Sequence, residues 1–258
     1  MSQRRLLQTA LFLSVCVSAV AQSPAPSRKT FLAVGAHAGD MEIAAGAVLA
    51  KHAKAGDRIV FLHLTLGEGG NPALSPAEYG AQKRREAEAA AKVIGAEVLF
   101  GPYKDGELPN SEEARRYVAD TIRQVKPTHL IAHWKNSLHQ DHSNASAVAV
   151  DAVLLAALPG VQSQHPPHRG LRRVLFTDNW EDREGFSGYI YVDVSDSLDL
   201  WEKCVTQYQF IRGGVSSFPY LEYYRSLAKV RGAEGGFTFA ESFDIQPWGK
   251  KQTYRELP

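Results

Sequence analysis

The sequence predicts a Rossmann-like α/β fold, a mostly parallel sheet with helices on both faces. Three observations carry that expectation. Short apolar runs alternate with helix-period segments, and the runs open into polar loops. The composition, 44% hydrophobic and 22% charged over 258 residues, belongs to a globular chain long enough to bury a large core.

The elements follow in order. "FLAVGA" (31–36) is continuously apolar, as a strand covered on both faces must be, and a helix pattern follows over about 42–55. "RIVFLHLT" (58–65) leads to a helix over 77–94, and "EVLFG" (97–101) to one over 111–125 that Asn110 or Ser111 caps. "HLIAHW" (129–134) precedes a helix over 143–157 with Ser143 as its cap, and "RRVLFT" (172–177) closes the series. Strand and helix in this rhythm imply right-handed crossovers. From about residue 189 the pattern changes to "YIYVDVS", amphipathic helices near 197–211 and 219–231, and the extended "GGFTFAESFDI". With neither an internal repeat nor a second apolar core, this region reads as a C-terminal extension of one domain spanning 30–258.

The first 22 residues read as a signal peptide. "MSQRR" is its positive end, "LLQTALFLSVCVSAV" its apolar centre and "AVAQ" its cleavage region, so the expected location is periplasmic or secreted. About 15 apolar residues are short for a span of about 20, which argues against stable membrane insertion. "SPAPSRK" (23–29) reads as a linker. Processing removes Cys16 and leaves Cys204 alone, so no internal disulfide is expected. A net charge of +1 without long charged runs gives no footprint for nucleic acid. Oligomeric state is not legible.

Ligands of open parallel sheets bind beyond the carboxyl ends of the strands. "AHAGDME" lies there after the first strand, "GEGGNP" after the second, "KDGEL" after the third and "HQDH" after the fourth. His37 or Asp40 alone reads as a helix-terminus residue. Together with His142 they make a three-ligand set for a divalent metal such as Zn²⁺, with positions left for water, and water polarised in this way hydrolyses carbonyl compounds. Asp141 would orient a ligand histidine, and His139 would donate a proton or hold an oxyanion. Glu68 is the chemically interesting residue of the glycine-rich loop, which lacks the pattern of a phosphate loop. His52, His63, His129 and His133 read as structural, Cys204 as buried and inert, and Phe218, Tyr220, Tyr223, Tyr224 and Trp248 as core or rim packing.

These residues resemble the PIG-L/LmbE-like zinc-dependent de-N-acetylases. "AHAGDME" is similar to the family's "AHPDD-x-E", "HQDH" to "H-x-D-H", "TLGEGG" to "T-x-GE-x-G" and "DGEL" to "DG-x-L"; "KRREAEAAAKVIG" and "RGAEGGFTFAESF" match its later patterns. The resemblance implies an LmbE-like fold and removal of acetyl from an N-acetylglucosamine-type sugar or conjugate, a small-molecule or glycoconjugate substrate. It implies metal ligands at His37, Asp40 and His142, a positioning aspartate at Asp141, an oxyanion or proton-donor histidine at His139, a sugar contact at Asp105 and a substrate contact at Lys83. Glu68 joins these as a candidate for substrate contact.

Gly39 departs from the family, whose aspartate at this position is the general base. A positioned base is worth a factor of about 10² to 10⁴ in rate. Three readings stay open: Glu68, His139 or a substrate group supplies the base; the enzyme is slow; or the chain is a pseudo-enzyme or a carbohydrate- or metal-binding module. Gly39 is also expected to open space for a bulkier acyl group, and Gly39→Asp to raise activity.

Overall fold

The computed structural model describes residues 28–182 and 184–251. The signal peptide (1–22), Cys16 and most of the linker lie outside them. The elements are β1 (Thr30–Gly35), α1 (Asp40–Lys54), β2 (Arg58–His63), α2 (Pro76–Ile94), β3 (Glu97–Phe100), α3 (Glu112–Val125), β4 (His129–Ala132) and α4 (Gln140–Ala157). They continue with β5 (Arg173–Thr177), β6 (Ile190–Asp193), α5 (Leu198–Val205), α6 (Tyr220–Gly235) and β7 (Ala240–Ile245).

The strands form one sheet in the order β3-β2-β1-β4-β5-β7-β6. The first five are parallel, while β7 runs antiparallel to β5 and to β6. The expected mostly parallel sheet is therefore present, with an antiparallel edge supplied by the C-terminal region. One face packs α1, α5 and α6 around Trp201, Tyr208 and Phe243; the other packs α3 and α4 on Leu32, Leu62 and Leu130. Among the described residues no helix is long and apolar enough to cross a membrane. Cys204 is buried and unpaired, and burial pushes its thiol well up, as expected of an inert cysteine.

Local chemistry sets the helix starts. Ser75 and Glu78 form a capping box with Pro76 in the first turn of α2, and Gly95 ends that helix in the left-handed region. Ser111 caps α3 through the Ala114 N–H. The expected cap of α4 was Ser143; the cap is instead His139, whose Nδ1 accepts from the Asp141 N–H at 3.2 Å, so α4 begins inside the "HQDH" segment. The expected helix over 197–211 stops at Val205, and the chain continues in turns.

The helix that delivers Asp40 is anchored from the far end of the chain. Trp201 Nε1 donates to the carbonyls of Glu42 and Ile43, and Glu241 accepts the N–H groups of Ala47 at 3.0 Å and Val48 at 2.8 Å. Gly46 lets the Trp201 indole approach, since a Cβ there would lie 2.8 Å from Trp201 Cδ1. Burial pushes the Glu241 carboxyl up to about 8, against the two N–H donors that favour its charge. A carboxyl that holds its proton more tightly in the folded chain stabilises the fold on the acid side, and that contribution is lost as pH rises toward and through 8. Glu241→Leu is therefore expected to lower unfolding free energy by about 2–4 kcal/mol, because two buried N–H groups lose their acceptor. The variant should also show a flatter decline of stability as pH rises from about 4.5 to about 8 than the parent, both read from urea unfolding.

Candidate metal centre

The sheet order reverses between β1 and β4, so crossovers leave to opposite faces there and a crevice opens beyond the strand ends. β1 delivers His37 and the start of α1 delivers Asp40. β4, paired with β1 from Phe31↔His129 to Val34↔Ala132, delivers His142 on the first turn of α4. His37 Nδ1, Asp40 Oδ2 and His142 Nε2 lie 3.3, 3.4 and 3.2 Å from one another. Metal–ligand bonds of about 2.0–2.1 Å in a tetrahedron put ligand atoms about 3.3–3.4 Å apart. The three donors therefore fit one face of a tetrahedral divalent-cation site, and two imidazoles with one carboxylate are a set that suits Zn²⁺.

The far atoms of these ligands are held too. His37 Nε2 meets Asp105 Oδ1 at 3.0 Å and Asp141 Oδ2 at 3.4 Å, which puts a proton on Nε2 and leaves the Nδ1 lone pair for the cation. Asp141 also accepts the N–H groups of Gly106 and Leu108, tying the loop after β3 to the start of α4. His142 Nδ1 faces Ser137 Oγ at 3.3 Å and Glu181 Oε2 at 3.4 Å. Burial opposes a charge on His37, but Asp40, Asp105 and Asp141 hold its proton affinity well above the ordinary value; Asp40 raises His142 in the same sense. Against its own burial, Asp40 is held well below the usual carboxylate range by His142 and His37.

The other residues singled out in the sequence fall as follows. His139 lies beside His37, ring centroids 4.6 Å apart, and burial together with His37 and His142 lowers its proton affinity. Because its Nδ1 accepts the Asp141 N–H, the neutral ring carries its proton on Nε2 and is a hydrogen-bond donor. Glu68 spends one oxygen on the Leu66 N–H and the other on the Asp105 N–H, a loop-holding role. Lys83 is buried in the cleft wall and donates to the Ala38 carbonyl. His52 pairs with Asp57, and His63 packs against buried Glu42, away from the cluster.

The expected space at Gly39 is absent. Gly39 adopts φ +107°, and a Cβ there would lie 2.9 Å from Phe210 Cζ and 3.6 Å from Tyr208 Cζ. The Phe210 ring fills the position that a side chain would take. His133, read from the sequence as structural, packs directly on the cluster: its ring stacks on His142 at 4.1 Å while its Nε2 accepts the Ala36 N–H and lies 3.2 Å from Asp40 Oδ2. Burial pushes it down to about 4, so it stays neutral. Its place at the end of β4 was the available signal. Glu181 and Asn179 follow β5 and line the same cleft of about 240 Å³, and the rule of strand ends pointed to that loop as well.

Two outcomes follow. His142→Ala should retain under about a tenth of the parent's zinc after dialysis while His139→Ala, which loses a cap and no ligand of the triangle, retains most of it, and Asp105→Asn should weaken zinc affinity by about 10- to 100-fold, read by competition with a chelating dye. Gly39→Asp should cost about 1–3 kcal/mol of stability for backbone strain and ring displacement, and should bring no rise in activity. Phe210→Ala in the same chain should recover part of that loss, a coupling measured by a double-mutant cycle.

The family model described as PIG-L, GlcNAc-PI de-N-acetylase, matches residues 32–153, the stretch that contains His37, Asp40, Asp141 and His142. A 4-oxalmesaconate hydratase of Pseudomonas putida is 26% identical over 80% of this chain and 81% of its own. A diacetylchitobiose deacetylase of Thermococcus kodakarensis is 25% identical over 85% of this chain and 84% of its own. In fold, the N,N'-diacetylchitobiose deacetylase of Pyrococcus horikoshii superposes with a TM-score of 0.74 at 23% identity, covering 86% of this chain and 85% of that one. The chain thus carries, over residues 32–153, a stretch that matches the PIG-L family model.

Proposed function

We propose that the protein is an exported, metal-dependent amide hydrolase that removes an acetyl group from an N-acetylglucosamine-type sugar or conjugate. The observation that carries this reading is the triangle of His37 Nδ1, Asp40 Oδ2 and His142 Nε2 at the floor of an open cleft. The family description and the deacetylase relative support the amide and the amino sugar. The apolar N-terminal segment supports export.

A divalent cation held by His37, Asp40 and His142 would polarise the acyl carbonyl and acidify water there. The chain's own groups do the rest. Asp105 and Asp141 fix the tautomer and direction of His37, and Glu181 faces the far nitrogen of His142. His139, a neutral donor through Nε2–H, is set to hold the oxygen that gains charge as the carbonyl is attacked. Trp180 and Tyr220 on the cleft wall offer apolar faces to a sugar ring, with Asn179 and Ser216 beside them as polar contacts.

A second reading, a metal- and carbohydrate-binding module without turnover, draws on Gly39, where no base is carried and Phe210 takes the room. Metal analysis of the purified protein together with acetate release from a panel of N-acetylglucosamine conjugates separates the two. The hydrolase reading expects about one zinc per chain and acetate release that His139→Ala lowers about 10²- to 10³-fold. Zinc retention without acetate from any conjugate would favour the binding module.

A further inference from the structure

We propose that Lys83 is the proton-transfer group of this site, acting as a neutral amine where position 39 carries no carboxylate. The inference rests on the hydrolase reading given above and deepens it.

Lys83 is 4% exposed, lines the cleft and has no carboxylate partner within ion-pair distance among the described residues. Its Nζ donates to the Ala38 carbonyl, next to Gly39 in the chain. The Phe210 ring that occupies the room at Gly39 lies 4.1 Å from Nζ, and the Tyr208 ring lies 4.9 Å away. Gly39, Phe210 and the lysine amine are thus one packed unit beside the ligand cluster. Burial strips the ammonium of its water and leaves it one hydrogen-bond acceptor, and the attraction of the two aromatic faces offsets only part of that loss. The charged groups facing it are Asp40 and Glu42 from α1, Glu86 from its own helix and Asp105 from the loop after β3; all favour the proton, burial opposes it, and the balance falls to about 8. That value leaves a working fraction of free amine near neutral pH, the condition for a group that must both take and return a proton.

The two candidates that the sequence offered for this task, Glu68 and His139, are engaged. Both oxygens of Glu68 hold loop N–H groups, and the His139 nitrogen that lacks a proton already accepts the Asp141 N–H. In the step assigned to Lys83, Nζ takes a proton from the attacking water as its oxygen bonds to the acyl carbon. The ammonium then returns that proton to the departing nitrogen as the C–N bond breaks, leaving the free amine of the sugar and acetic acid, whose remaining water proton passes to solvent as acetate forms. Lysine ends as it began.

The test uses the zinc-loaded mature protein. Competitive acetylation with isotopic reagent at a series of pH values, read by mass spectrometry at Lys83, is expected to give an amine that titrates near 8; titration in the ordinary lysine range overturns the proposal. On whichever conjugate the parent deacetylates, Lys83→Arg, which keeps the charge and cannot release the proton, should lower kcat at least 10²-fold with KM changed less than threefold. Lys83→Cys alkylated with bromoethylamine should restore kcat with the rising limb of its pH profile shifted to follow the new amine. A Lys83→Arg enzyme at parental kcat overturns the proposal and leaves the hydrolase reading standing. A parent that releases no acetate from any conjugate overturns both.

Discussion

The pairing of β1 with β4 is the constraint on which the rest depends. Phe31–Val34 and His129–Ala132 are about a hundred positions apart in the chain, yet their hydrogen-bonded register sets the two strand ends side by side. The three donors of the triangle leave those ends within about ten residues: His37 and Asp40 from one, His142 from the other. The reversal of strand order at this place opens the crevice, so the ligands meet in a cleft and not under a crossover. Separations of 3.2–3.4 Å among the donor atoms need α1 and α4 to start at fixed heights above the sheet. The cap at His139 sets one, and the grip of Trp201 and Glu241 on the middle of α1 sets the other.

The electrostatics follow from that placement. One carboxylate stands between two imidazoles, and Asp105, Asp141 and Glu181 surround their outer nitrogens. Such a ring lowers the cost of burying a divalent cation and keeps each ligand ring in a single orientation. Proton and cation then compete for the same lone pairs, because the carboxylates that attract the metal also raise the proton affinity of His37 and His142. His133 and His139 escape this competition: burial and the neighbouring imidazoles keep both rings neutral, one as a packing wall and the other as a donor.

How far the sequence can be read depends on how local each determinant is. The five parallel strands lie within two residues of their expected bounds, because a strand buried on both faces is written as a continuous apolar run. His37, Asp40 and His142 come together as expected because polar residues at strand ends have few other reasons to sit in one rim. The C-terminal region was less legible. Its helix pattern continues past Val205 because Tyr208 and Phe210 are apolar for another reason: after the helix has ended, Tyr208 fills the core and Phe210 lines the cleft. His139 escaped notice as a cap since histidine seldom serves as one, and Ser143 four residues later carried the usual signature.

Gly39 shows why a motif letter cannot be interpreted apart from what packs on it. A glycine next to a ligand suggests a hole, and the expected consequence was room for a larger acyl group. The chain fills that hole from 171 positions away with Phe210, which can approach because Gly39 has no Cβ and turns the backbone to φ +107°. The same ring covers the Lys83 amine and strips it of water. Loss of a side chain at 39 and desolvation of the lysine are therefore two faces of one packing event. A carboxylate at 39 would displace the ring that covers the amine, and would give the amine an anionic neighbour that raises its proton affinity. The wall thus holds either arrangement, a carboxylate beside a charged lysine or an aromatic ring over a neutral one, and the chemistry available to the cleft changes with which of the two is built.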